Sequence, residues 1–312
     1  MNEIPLDGLR DRVLALRAMR WTAPLDHEGL VLLGEHARHR SFRKGDVLLE
    51  PGKLVQSMFI VERGLVTVRV AGQLLTQVTP GRVAGVTSMI ARDPRGASAI
   101  ADEDSRVLEI PAEAVFAAYE ENFSVVCNGL RLLSRGTLQR LDRLPRPLHG
   151  DDPAPMGTYR EGQVTLVDRV REARQTPLFA NANLDAVFDV ARHMVERRIR
   201  PDERLWSIGD SSSFWVYVEY GRLRCTNAEG RSTQVGAKQA LGQLDCWAEL
   251  PRSYEARAET ELIMHQTDIA PMLGVLETHH DMAMELVATI ARMNLPASTA
   301  PEAMEAAAEK TP

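Results

Sequence analysis

Apolar positions along the first forty residues keep a helical rhythm. Leu6, Leu9, Val13 and Leu16, then Leu30 and Leu33, recur at spacings of three and four, which predicts helices with one buried face. The rhythm then shortens. Apolar runs at 47–49, 58–61, 65–70 and 74–78 are punctuated by Glu62-Arg63-Gly64 and Ala71-Gly72, the signature of short strands joined by turns. A helical stretch over 112–144, expected in two pieces, closes the first half. The second half repeats the sequence of events, with strands at 205–208, 214–218 and 223–226 and a closing helix over 269–293. Short strands framed by helices predict a β-barrel or jelly roll with a helical rim.

The repetition has a fixed period. Gly52 and Gly209 stand 157 residues apart, and the same offset relates Gly64 to Gly221, Gly85 to Gly242, Pro94 to Pro251, Arg95 to Arg252 and Ala101 to Ala258. Glycine and proline hold backbone geometry that other residues do not, so a shared offset at these positions marks two copies of one fold. The copies are expected at 1–144 and 164–294. Residues 145–163, rich in proline, read as an exposed linker, and 295–312, rich in Ala, Glu and Pro, as a flexible tail.

Two segments resemble a known family. Phe42-Arg43-Lys44-Gly45-Asp46-Val47-Leu48-Leu49-Glu50-Pro51-Gly52, followed by Met58-Phe59-Ile60-Val61-Glu62-Arg63-Gly64, resembles the opening hairpins of cyclic-nucleotide-binding domains. Gly81-Arg82-Val83-Ala84-Gly85, then Pro94-Arg95-Gly96-Ala97-Ser98-Ala99-Ile100-Ala101, resembles that family's phosphate-binding cassette, with the usual ten residues from glycine to arginine. The resemblance covers about 10–140 and, more loosely, 167–293. It implies a mainly β fold with flanking helices: two tandem cyclic-nucleotide-binding-like β-roll (jelly-roll) domains. It also implies a cyclic nucleotide as the ligand, held by Gly85, Arg95, Ala97 and Ser98 in the first copy and by Gly242, Gln243 and Arg252 in the second. In such a cassette an arginine gives charge-assisted hydrogen bonds to phosphate, and small residues let the backbone approach it.

Both copies depart from the family at the glutamate that accepts a bond from the ribose hydroxyl. Val86 stands there in the first copy and Gln243 in the second. Valine accepts nothing, which removes the partner of a ribose hydroxyl; glutamine offers only a neutral one. The second copy also places Tyr254 where a small residue belongs and Glu255 beside it, so a ring crowds the phosphate and a carboxylate repels it. Without a ligand, Arg95 and Arg252 are expected to pair with a local carboxylate such as Asp93 or Glu255.

Charge and composition narrow the remaining classes. Residues 1–150 hold 20 Lys and Arg against 18 Asp and Glu, and residues 151–312 hold 17 against 25, so neither half carries the cationic excess that phosphate-backbone binding needs. With about 20 residues after the second copy, no helix-turn-helix is expected, and no apolar run reaches the ~18 residues of a membrane span. Three scattered cysteines (Cys127, Cys225, Cys246) make neither a disulfide frame nor a zinc site. His36 and His39 read as a solvated helix end, and the adjacent His279 and His280 point to different sides of a helix. Ser211-Ser212-Ser213 reads as a hairpin loop; Trp206, Trp215 and Trp247 as packing, with Trp247 placed to fill ligand space; Met282, Met284 and Met293 as core or helix-pairing residues. The expectation is a cytosolic regulatory or adaptor protein with no catalytic residues, no metal and no cofactor. Its nucleotide binding is lost or altered, its partner is a protein or a second copy of itself, and it engages neither nucleic acid nor membrane. A cyclic-nucleotide sensor using the first copy is the alternative.

Overall fold

The computed structural model describes residues 6–93, 97–145, 153–159, 161–162, 164–175, 179 and 182–296. Two helices open the first roll, α1 (Leu6–Arg17) and α2 (His27–His36). The Asp26 side chain caps α2 by accepting from the Gly29 N–H at 2.9 Å, which satisfies one of the helix's unpaired donors. The strands follow: β1 (Arg38–Phe42), β2 (Val47–Leu49), β3 (Ser57–Arg63), β4 (Val66–Val70), β5 (Gln73–Val78) and β6 (Val83–Ala84). A short helix α3 (Val86–Ala91) precedes β7 (Ser98–Ala101) and β8 (Ser105–Pro111), and α4 (Ala112–Glu121) closes the roll. The strands form two antiparallel sheets, β1-β8-β3-β6 and β2-β7-β4-β5. Period-two alternation builds their shared core: along β4, Val66, Val68 and Val70 are buried while Arg69 is exposed.

The second roll repeats each element about 157 residues later. It comprises α5 (Phe123–Arg140), α6 (Leu166–Gln175), α7 (Leu184–His193), β9 (Val195–Ile199), β10 (Arg204–Trp206), β11 (Phe214–Tyr220), β12 (Leu223–Asn227), β13 (Ser232–Val235), β14 (Ala240–Leu241), α8 (Gln243–Ala248), β15 (Tyr254–Ala258), β16 (Leu262–Asp268), α9 (Ile269–Thr278) and α10 (His280–Met293). Its sheets run β14-β11-β16-β9 and β10-β15-β12-β13. The fold is mainly β with flanking helices, two β-rolls in tandem. Val216, Val218, Leu223, Cys225, Val235, Leu241, Ala256 and Leu262 are fully buried between the second pair of sheets.

Several local expectations change. By contact, the first compact unit ends at Glu121 and takes in the chain from Ala291, so α5 belongs with the second unit rather than with residues 1–144. The cause is polar as well as apolar: Arg135 Nε donates to the Ala248 carbonyl at 2.9 Å, and Arg131 pairs with Glu249 at 3.2 Å. Part of the expected linker is not exposed. Ala154 is fully buried, the Pro155 carbonyl accepts from the Ala237 N–H and the Met156 carbonyl from the Gly221 N–H, both at 2.8 Å. Prolines lack donors, yet the carbonyls around them still accept from N–H groups just beyond the ends of β11 and β13. The closing helix of the second roll breaks at His279, which leaves the helical region with φ −114° and ψ 75°. His39 lies on β1, not at a helix end, and its Nδ1 meets Glu62 at 3.1 Å. His279 bonds Asp189 at 2.8 Å.

The turn glycines carry the fold's tightest backbone approaches. Gly221 has φ +96°, and a Cβ there lies 2.2 Å from the Glu261 carbonyl oxygen; Gly230 has φ +77° but open space around it. Gly221→Ala is therefore expected to cost more than about 2 kcal/mol of unfolding free energy and Gly230→Ala about 1 kcal/mol. Urea denaturation of the two variants beside wild type checks this ordering; equal costs contradict it.

Candidate functional site

In the first roll Gly85 opens α3 from the left-handed region, with φ +87°. A Cβ there meets Leu49 Cδ1 at 2.9 Å, the Ser57 carbonyl at 3.3 Å and Val55 Cγ1 at 3.4 Å, so only glycine fits between α3 and the β2–β3 loop. An open cavity of about 590 Å³ lies on the other side of these residues. Leu48, Leu49, Val55, Phe59 and Ala97 wall it, Arg40, Glu109, Gln56 and Ser57 give it polar groups, and Glu50, Lys53 and Leu54 complete its lining. Ala97 is buried; Ser98, first residue of β7, is half-buried, as is Val86 at the start of α3. Arg95, the expected anchor, lies outside the described residues, so its expected pairing with Asp93 is not described either.

The second roll keeps the cassette backbone and fills its interior. Gly242 opens α8 with φ +79°, and Glu249 ends it with φ +51°, matching Gly85 and Arg92 (φ +50°) in the first roll. Arg252, expected to pair with Glu255, instead turns inward and is 1% exposed. Its Nη1 donates to the Gly242 carbonyl at 3.1 Å and its Nη2 to the Phe214 carbonyl. The guanidinium lies 4.2 Å from the centroid of Trp206 and 4.8 Å from that of Phe214, a desolvated cation–π stack. Glu255 pairs outward with Arg204 and Arg257, at 3.5 and 3.3 Å.

Three aromatic side chains complete this packing. Trp206 meets Phe214 and Tyr254 edge-on at 5.9 and 5.8 Å. The buried Tyr254 hydroxyl accepts from the Gly242 N–H at 2.9 Å, and burial pushes its pKa well above the usual phenol value. The equivalent positions 157 residues earlier are Leu49, Ser57 and Ala97, all of which line the open cavity of the first roll. Thus the structure groups Gly242, Arg252 and Tyr254 within one packed cluster, leaves Gln243 half-buried at the start of α8, sets Ala97 in the cavity lining and places Gly85 against its lining residues Leu49, Val55 and Ser57. Trp206 was visible in the sequence as a packing residue and Phe214 only as part of a strand. The signal that links them to the cassette is the substitution of three small or aliphatic residues by aromatics at one offset.

The titratable groups nearby are structural. Cys246 donates to the Phe214 carbonyl at 3.1 Å, and burial pushes its thiol up to about 12 against the opposing effect of Arg252. Asp245 is fully buried. Burial raises its pKa, more than Ser253 and Arg252 lower it. Among the described residues no cluster of three His, Cys, Asp or Glu is arranged for a metal, and no helix is long and apolar enough to cross a membrane.

Residues 39–122 match the family described as the cyclic nucleotide-binding domain. The match lies within the first roll, and the second roll repeats that roll's order of elements. No curated protein matches the sequence. Solved structures similar to the chain include the regulatory domain of Toxoplasma gondii PKA with cAMP, at 13% identity over 93% of this chain and 98% of that one, with TM-score 0.36. The sensor domain of the transcriptional regulator DNR from Pseudomonas aeruginosa matches at 18% identity over 45% and 98%, with TM-score 0.40. The N-terminal domain of a transcriptional regulator from Streptomyces coelicolor A3(2) matches at 23% over 39% and 90%, with TM-score 0.35.

Two outcomes follow for the second cassette. Trp206→Leu is expected to cost about 3 kcal/mol, because it removes the ring over a buried cation and leaves a cavity; chemical denaturation measures it, and a cost below about 1 kcal/mol contradicts the stack. A carboxyl whose folded pKa is raised binds its proton more tightly in the native than in the unfolded state, so acidification through that window adds stability and rising pH removes it. Asp245→Asn is accordingly expected to raise stability relative to wild type at pH 7 and to lose that advantage toward pH 4. A variant advantage that grows on acidification contradicts the raised pKa.

Proposed function

We propose that the chain is a non-enzymatic, cytosolic regulatory protein that acts through protein–protein contacts. In it the second roll no longer binds a cyclic nucleotide, and binding at the first roll is lost or altered. The observation that carries this reading is the Arg252 cluster. The side chain that in this family faces a phosphate spends its donors on the Gly242 and Phe214 carbonyls and its faces on two rings. With Tyr254 on the Gly242 N–H, phosphate entry requires unpacking that cluster. At the first roll Val86 replaces the ribose acceptor. The partner on this reading is another protein or a second copy of the chain.

The second reading, a cyclic-nucleotide sensor using the first roll, is favoured by the open cavity beside Ala97. Titration calorimetry of the full chain with cyclic AMP and cyclic GMP separates the two. The expected result is no saturable heat at about millimolar ligand, which corresponds to less than about 4 kcal/mol of binding free energy. Saturable micromolar binding that disappears in Arg95→Ala establishes the sensor instead.

A further inference from the structure

The offset that relates the two rolls also relates their closing helices. Arg135 on α5 and Arg292 on α10 stand 157 residues apart, and so do Ala91 and Ala248, the last residues of the cassette helices α3 and α8. Arg135 Nε donates to the Ala248 carbonyl at 2.9 Å, and Arg292 Nη1 to the Ala91 carbonyl at 3.4 Å. The same residue type therefore makes the same contact twice, with the partners crossed. α5 follows the first roll in the chain and packs in the second compact unit; the chain from Ala291 follows the second roll and packs in the first. The packed faces agree as well. Leu130, Ser134 and Leu138 correspond to Val287, Ala291 and Leu295, and all six are buried.

The contact has an electrostatic basis. The last carbonyls of a helix have no partner within it and carry the negative end of its dipole, so a guanidinium placed there is favoured. Both cassette helices are six residues long and stop at a left-handed residue, Arg92 and Glu249, so their final carbonyls depend on donors from elsewhere. The neighbouring pair of Arg131 with Glu249 at 3.2 Å is not duplicated, because Ala288 and Arg92 stand at the matching positions. The arginine–carbonyl contact is the part of the joint common to both cassettes.

We propose that the closing helices are exchanged between the repeats, and that Arg292 is a positioning residue of the first cassette, setting the end of α3 from the last helix of the chain. What shifts α3 is then felt at the end of α10, and what engages the end of α10 is felt at α3, because coupling between two sites is reciprocal. Control of the first cassette thus reaches a surface 201 residues further along the chain. The proposal goes beyond the regulatory reading and does not depend on which ligand the first roll takes.

Hydrogen exchange on the full chain tests this. The reporters are the Arg92 and Asp93 amides, which close α3 onto the Met89 and Ser88 carbonyls at 3.1 and 3.3 Å. Arg292→Ala, at an exposed side chain, is expected to speed exchange there by at least about threefold while leaving β3 and β8 unchanged. Arg292→Lys keeps a cation at the helix end and is expected to stay within about twofold of wild type. Arg135→Ala is expected to act in the same way on the matching Glu249 and Leu250 amides, and not on Arg92 and Asp93. Faster exchange in α10 alone, with Arg92 and Asp93 unchanged, overturns the proposal. A uniform rise across the first roll overturns it too, as lost global stability, and a loss that lysine does not rescue removes the electrostatic basis. An effect of Arg135→Ala on α3 contradicts the crossed arrangement.

Discussion

A guanidinium in a dry interior needs partners close at hand, and Arg252 finds its main ones inside the second roll. Its ends reach two backbone carbonyls, its plane lies against Trp206 and Phe214, and the Asp245 carboxyl contributes electrostatically nearby. The carbonyls are the telling partners. They are neutral, fixed and local, so both ends of the guanidinium are bonded without any anion from outside, while the buried Nε makes no hydrogen bond. The match also constrains its neighbours. A Cβ on Gly242 lies 2.2 Å from Arg252 Nη1, so the glycine that opens α8 is held both by its positive φ and by the guanidinium pressed on it.

The two rolls show that side-chain volume alone turns one backbone into a cavity or a core. Their cassette helices start from glycines at φ +87° and +79° and end on non-glycine residues at φ +50° and +51°. The frame that builds the site is therefore conserved between the copies. Leu49, Ser57 and Ala97 leave space within it; Trp206, Phe214 and Tyr254 fill it. Protein interiors pack to crystal-like density, and once three rings occupy the space, the polar groups that faced it must find partners among themselves. Tyr254 on the Gly242 N–H and Arg252 on its carbonyl satisfy both ends of one glycine.

The period of 157, the alternating strands and the glycine turns were legible in the sequence because each is a local or repeated signal. What was not legible depends on partners distant in the chain. The pairing of α5 with the second unit follows from Arg131 and Arg135 meeting the end of α8 more than 110 residues away, and periodicity says nothing of which sheet a helix chooses. The burial of Ala154 accompanies carbonyls that accept from N–H groups just beyond β11 and β13, which proline content conceals. The inward turn of Arg252 is the instructive case. The residue type is the same as in a phosphate-binding cassette, so the arginine itself carries no warning. Its direction is set by the rings at 206 and 214, and only the comparison of equivalent positions in the two copies points to them.

The second cassette is also held by the chain that leads into its roll. Arg135 donates to Ala248 at the last residue of α8, the Asp142 carbonyl accepts from Asn227 at 3.0 Å, Arg231 pairs with Asp142 at 2.7 Å, and Leu144 packs against the roll's apolar core. A cassette that signals must have two arrangements whose balance a ligand can shift. Here α8 is fastened on its inner side by a stacked arginine and at its end by α5, so moving it breaks hydrogen bonds on both sides at once. Interactions of that kind deepen one state and remove the alternative. On the proposed reading, a second roll held in one arrangement presents its surface in one form, which lowers the ordering cost of recognition by a protein partner.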